Sequence, residues 1–201
     1  MGFSKKQIGH RNTAERLVVS PKPFGGAIRG SNLPSLPDSF GKWIAADGAI
    51  SIRADLTFRQ VIFVNIKDKN MPSYHRQKIW INDRHAKDNI SHFLHRLNYD
   101  CYKSAYKRYG KRIKVSSAIQ GGVSDLRNEK GTKRLHAHML LEKPNHIDFD
   151  IFKSSILNNW MATKWGYNEN LVEEARSVRG SAAYQVIDKM DSLDIQNTYL
   201  G

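Results

Sequence analysis

Eight of the 201 residues are histidine, and His136 and His138 stand one residue apart in Arg134-Leu135-His136-Ala137-His138-Met139-Leu140-Leu141-Glu142. Leu135, Ala137, Met139 and Leu141 alternate with them at the period of a strand, so the apolar set faces a core and both imidazoles face the other way. A two-residue rise sets them roughly 7 Å apart at the backbone, and on a rigid strand both rings can reach one metal ion. Taken alone, the pattern is also that of two solvent-facing histidines on a basic protein. The single cysteine, Cys101, excludes an internal disulfide and a Cys-rich zinc knuckle, which leaves His, carboxylate or amide ligands for any metal. Tyr184 is the second residue of interest. It follows Gly180, Ser181, Ala182 and Ala183, small residues that let another surface approach closely; it is either a core tyrosine on an amphipathic helix or a hydroxyl held against that surface. His92 and His95, one turn apart, have no carboxylate spaced beside them and lie in a continuous apolar face, so they read as structural.

These residues need elements to position them. Ile113 to Ile119 alternates as the histidine run does, and a Gly-containing polar loop separates it from Lys133 to Glu142, so the two runs predict a hairpin. Val61 to Ile66 is β-branched and short, like a buried strand. Ile90, Phe93, Leu94, Leu97, Cys101 and Ala105 recur at helical spacing and predict a helix over roughly 85–109, ended by Gly110. Asp148 is a fair N-cap for a helix bearing Phe149, Phe152, Ile156 and Trp160, with Gly166 as its stop. Leu171 and Val172 suggest a short strand, and a last helix is expected from about Ser181 to Met190 before a polar tail. The succession predicts an α+β fold, an antiparallel central sheet with helices packed on it, of the ferredoxin-like and RNA-recognition type. Four of the six prolines fall in the first forty residues, together with Gly25, Gly26 and Gly30. Residues 1–40 therefore read as a basic Pro/Gly-rich extended arm and residues 41–201 as the globular domain.

The chain carries 32 Lys+Arg against 19 Asp+Glu, a net charge of +13. A surplus of that size points to a polyanionic partner, nucleic acid first. No window approaches 18 consecutive apolar residues and no apolar region follows Lys5 and Lys6, so neither a membrane span nor a secretory signal is expected, and the expected location is the cytoplasm. Between Tyr74 and Arg112 there are ten Lys/Arg against three Asp, with Tyr99, Tyr102, Tyr106 and Tyr109 interleaved. Cations meeting phosphates and rings stacking on unpaired bases suit single strands, although a solvated helix face has the same composition. Arg96, Lys103, Lys107, Arg108, Lys111 and Lys189 are the candidate DNA contacts. The aromatics that an RNA-recognition sheet needs are missing from IKVSSAI and KRLHAHMLLE. No P-loop pattern occurs between Gly122 and Lys133, so no ATP-driven helicase is expected in this chain.

Three segments, RLHAHMLLEKP (Arg134 to Pro144), LHRLNYDCYKSAYKRYGKRIKV (Leu94 to Val115) and RGSAAYQVIDK (Arg179 to Lys189), resemble in type and order the HUH endonuclease superfamily, in particular the rolling-circle replication initiators of plasmids and small phages. The resemblance spans roughly residues 60 to 190. It implies that His136 and His138 hold a divalent metal, Mg2+ or Mn2+, and that Tyr184 is the nucleophile. Tyrosine suits a nick that conserves the phosphodiester, because its phenolate leaves well when a DNA 3′ hydroxyl later attacks the phosphotyrosine. The family's hairpin partner strand commonly offers a glutamate near its end; this chain has Gln120, whose amide oxygen can ligate without charge. Asp188, four residues after Tyr184, would share its helical face and could present a carboxylate to the same ion. Relatives often place a lysine three residues after the tyrosine. Here that position is Ile187, and Lys189, five residues on, lies about 140° around the helix.

The expected activity is a metal-dependent, site-specific DNA nickase and strand transferase that starts rolling-circle replication on single-stranded or hairpin origin DNA in a bacterial host cell, with a host helicase as a further partner. Two readings stand beside it: a single-tyrosine transposase, which shares the chemistry and differs in its DNA ends, and a catalytically silent nucleic-acid-binding module of the same fold.

Overall fold

The computed structural model describes residues 34–67, 74–122, 134–187 and 192–201. They form helices α1 (Leu36–Ala46), α2 (Asp83–Tyr102), α3 (Ser104–Tyr109), α4 (Phe149–Met161) and α5 (Val178–Gln185). The strands are β1 (Ile50–Phe58), β2 (Val61–Lys67), β3 (Tyr74–Trp80), β4 (Val115–Gln120), β5 (His136–Glu142) and β6 (Gly166–Glu174), and a 3-10 turn covers Ile195–Asn197. The fold is α+β. Four strands pair antiparallel in the order β4-β5-β1-β6. With α2 and α4, they run β-α-β-β-α-β in chain order, the ferredoxin-like split βαβ arrangement.

Alternation in β1 explains its central place. Ile52, Ala54, Leu56 and Phe58 are buried on one face, against Ala137, Met139 and Leu141 of β5 and the apolar stripe Ile90, Phe93, Leu94 and Leu97 of α2. Trp160 of α4 fills the middle, its ring edge-on to Phe58 and Phe93. An irregularity in register between Ile50 and Ile52 sends Ile50 to the opposite face. There it joins Phe40, Ile44, Leu140, Ala182 and Val186 in a smaller core under α1 and α5.

Several expectations are corrected. The run Val61 to Ile66 is a strand but not a buried one, because β2 pairs only with β3 in a separate two-stranded ribbon. The helix expected over 85–109 breaks at Lys103, whose φ of 48° turns the chain between α2 and α3. Gly166 does not stop α4, which ends at Met161; it opens β6, where a Cβ would come within 2.0 Å of the Trp160 carbonyl. The last helix ends at Gln185, short of Met190. The polar tail is built into the fold: Tyr199 exchanges backbone hydrogen bonds with Val115 at 2.6 and 2.7 Å, and Asp194 N–H donates to Ser117 O, which covers the free edge of β4. Residues 36–40, expected in the arm, belong to α1, capped by Ser35 with Pro37 in its first turn. The arm's residues 1–33 lie outside the described residues, and those from Pro34 onward form one compact unit. No helix among the described residues is long and apolar enough to cross a membrane.

Candidate active site

The face of the sheet turned away from α2 carries the histidines. In register, His138 stands opposite Asp55 of β1 and Ala118 of β4, and His136 opposite Thr57 and Gln120. Both rings point the same way, as the alternation requires, with 2.8 Å between their Nε2 atoms. Each Nδ1 is committed. That of His136 donates to the Arg134 carbonyl at 2.6 Å and that of His138 to Asp55 Oδ1 at 2.6 Å, since neither oxygen can donate. Burial works to raise the Asp55 pKa, but hydrogen bonds from His138 and Arg53 outweigh it and hold the carboxyl below the ordinary range. The two Nε2 atoms lie within hydrogen-bond distance of each other, so one ring's N–H can donate to the other's lone pair. Two imidazole nitrogens converging in this way are a donor pair that a divalent cation could share.

That donor chemistry fits a divalent metal. A carboxylate behind one imidazole and a carbonyl behind the other orient the rings, as the outer partners of histidine metal ligands do. Among the described residues no group of three His, Cys, Asp or Glu converges for a metal. Gln120 shares the histidine face. Its Nε2 donates to the carbonyls of Tyr184 at 3.1 Å and Gln185 at 3.2 Å, leaving its Oε1 as the only atom able to ligate. Asp188 and Lys189 lie outside the described residues.

Tyr184 stands over the histidines. Its ring meets that of His138 edge-on, centroids 5.2 Å apart, and it is 38% exposed where His138 is 7% exposed. Two glutamines hold α5 there. Gln120 reaches up to its C-terminal carbonyls; Gln185, 1% exposed, reaches down, its Nε2 donating to His138 O and Ser116 O and its Oε1 accepting from Ser116 Oγ. The small residues serve the same docking. Ala182 packs in the core beneath α5, and Gly41 of α1 passes so close that a Cβ would lie 2.4 Å from the Arg179 carbonyl. An open cleft of ≈ 350 Å³ results, lined by Arg53, Asp55, His138, Arg176, Gly180 and Tyr184 among others.

Asp55, Arg53, Arg176 and Gln185 were missed from the sequence. The signal for the first two was there: Arg53 and Asp55 are the charged residues on the outward face of an alternating strand. Arg53 Nη2 donates to Asp55 Oδ2 at 2.6 Å, and its pKa is raised by that bond first, with lesser help from Glu173 and the Tyr184 phenol. Other nucleophiles are worse placed. Burial pushes the Cys101 thiol up to about 12, and burial with the Glu142 charge pushes the Tyr102 phenol up to about 12.

The basic helix is not brought to this cleft, because α2 packs on the opposite face of the sheet. Arg96 Nε donates to Asn159 Oδ1 at 3.2 Å and ties α2 to α4. Lys103 pairs loosely with Asp100, Lys107 lies over the Tyr99 ring and Lys111 over Tyr102, and Arg108 is exposed. His95 binds the Tyr106 hydroxyl at 2.8 Å, in keeping with a structural role. No family model matches this chain, and no curated protein and no solved structure is detectably similar to it.

Proposed function

We propose that the chain is a metal-dependent DNA nicking and joining enzyme of the HUH type, acting through Tyr184 to initiate rolling-circle replication. The observation that carries the reading is the placement of a half-exposed tyrosine ring against a histidine pair whose Nε2 atoms converge. The Tyr184 phenolic oxygen attacks phosphorus, the Tyr–O–P bond forms as the P–O3′ bond breaks, and the phenol's proton ends on the released 3′ hydroxyl. Attack by a DNA 3′ hydroxyl reverses the step and rejoins a strand. His136 and His138 would hold a divalent ion, which when bound supplies polarisation of a non-bridging phosphate oxygen. Imidazole ligands suit Mn2+ better than Mg2+. Arg176, exposed at the cleft, offers a cation for a flanking phosphate.

The silent-module reading draws on the two-nitrogen donor set, which has no third charged ligand among the described residues. A nicking assay on end-labelled single-stranded DNA, drawn from a library of origin hairpins, decides between them. The enzyme reading expects cleavage with Mn2+, none with chelator, and none in Tyr184→Phe, which removes one oxygen and little packing. Absence of cleavage under every metal, with DNA binding intact, would establish the silent module.

A further inference from the structure

Strands β2 and β3 form a sheet of their own, in register from Val61 opposite Trp80 to Lys67 opposite Tyr74. On one face Ile62 and Ile79 sit across from each other and pack against the main core. The other face carries Phe63, Asn65 and Lys67 beside Trp80, Lys78 and Arg76. The Arg76 guanidinium lies 4.3 Å from the centroid of Phe63, and the Lys78 ammonium 4.1 Å from that of Trp80. These cations rest on rings instead of carboxylates, so their charge is positioned without being neutralised. Neither 61–67 nor 74–80 contains an Asp or Glu, and Phe63 is 53% exposed.

The root of the ribbon is tied to the histidine strand. Ile81 N–H donates to Gln60 O at 3.0 Å, and Gln60 Oε1 accepts from the N–H of Leu135, the residue before His136, at 3.5 Å. The ribbon leaves β1 just past Thr57, the residue in register with His136. Seven residues per strand at about 3.3 Å each make an arm of roughly 23 Å. The major groove of B-DNA, about 12 Å wide, admits a two-stranded ribbon.

We propose that this ribbon is a second nucleic-acid site, a duplex-binding arm that enters the major groove of double-stranded DNA flanking the strand held in the Tyr184 cleft. Its place beside a nick rests on the function proposed above; its binding of duplex does not. Arg76, Lys78 and Lys67 meet phosphates, held in place on this face of the ribbon. The groove of A-form RNA is too narrow for the same arm.

The test is binding of the full chain to a 20-base-pair DNA duplex, a 20-nucleotide oligo(dT) strand and a 20-base-pair RNA duplex, each across a salt series. The wild type should bind the DNA duplex more tightly than the RNA duplex. R76A/K78A should lose about ten-fold in duplex-DNA affinity or more, and its log–log salt slope should fall by roughly 0.9 for each phosphate no longer neutralised, with oligo(dT) affinity kept. Both side chains are exposed, so the melting temperature should not change, and R76K/K78R should bind duplex like the wild type. Unchanged duplex affinity and slope in R76A/K78A would overturn the proposal and leave the ribbon as a sheet edge guarded by charge. A chain that never nicks DNA but loses duplex binding in R76A/K78A would sink the nuclease reading and keep the arm.

Discussion

The two faces of the central sheet are built from alternate residues of the same strands and do different work. Toward α2 and α4 the strands present Ile52, Leu56, Ala137, Met139 and Leu141 to a dry core. Toward α5 the intervening positions present Arg53, Asp55, Gln120, His136 and His138, covered in part by a small core of six buried residues and otherwise open to the cleft. A strand's two-residue period thus lets one element carry a dry core on one side and the proposed site on the other. Polar groups on the second side are tolerated because they satisfy one another: Asp55 has both Arg53 and His138, and Gln185 has three partners.

The contrast is sharpest under mutation. Trp160→Ala, on the dry face, should cost about 3–5 kcal/mol in chemical denaturation, since a fully buried ring leaves a cavity and Thr57 O loses its Nε1 donor. Gln185→Ala, on the other face, should cost about 1–3 kcal/mol by stripping partners from Ser116 and His138. It should also lower nicking although Tyr184 is untouched, and full activity would show that α5 is held by its apolar contacts alone. Asp55→Asn tests the electrostatics. The Asp55 carboxyl is depressed in the folded state, so its contribution is present above the unfolded carboxylate pKa near 3.9 and is lost as pH falls through the lower folded value. Wild-type stability measured by urea midpoint should therefore drop more steeply below about pH 4 than that of the variant. Parallel curves would mean that Asp55 is already compensated without its charge. The smallest effect is expected at Lys103, whose φ of 48° and ψ of −122° match a turn position that glycine favours. Lys103→Gly should stabilise by roughly 1 kcal/mol, read as a raised melting temperature, while removing one cation from the basic helix.

Much of the dry face was legible. The periodicity of 90–105 and of 149–160 located α2 and α4, and the H-x-H alternation placed both imidazoles on one face. The second face was harder, because its elements are defined by partners distant in sequence. Ile50–Phe58 alternates, yet its importance comes from lying between β5 and β6. Val61–Ile66 has the residues of a buried strand and is exposed because the only partner it finds is β3. Gln185 looks like any helical polar residue until Ser116 and His138 O are seen beneath it. The last helix was extended to Met190, past its end at Gln185, a boundary that no glycine or proline marks.

The central claim is that His136, His138 and Tyr184 form one site on that second face. Peptide mapping of the covalent DNA adduct, formed with Mn2+ by the wild type and by H136A/H138A, tests it most directly. The account predicts the nucleotide on Tyr184 in the wild type and no adduct in the double variant, with DNA binding retained. An adduct on another tyrosine, or one formed equally well without the two histidines, would contradict it.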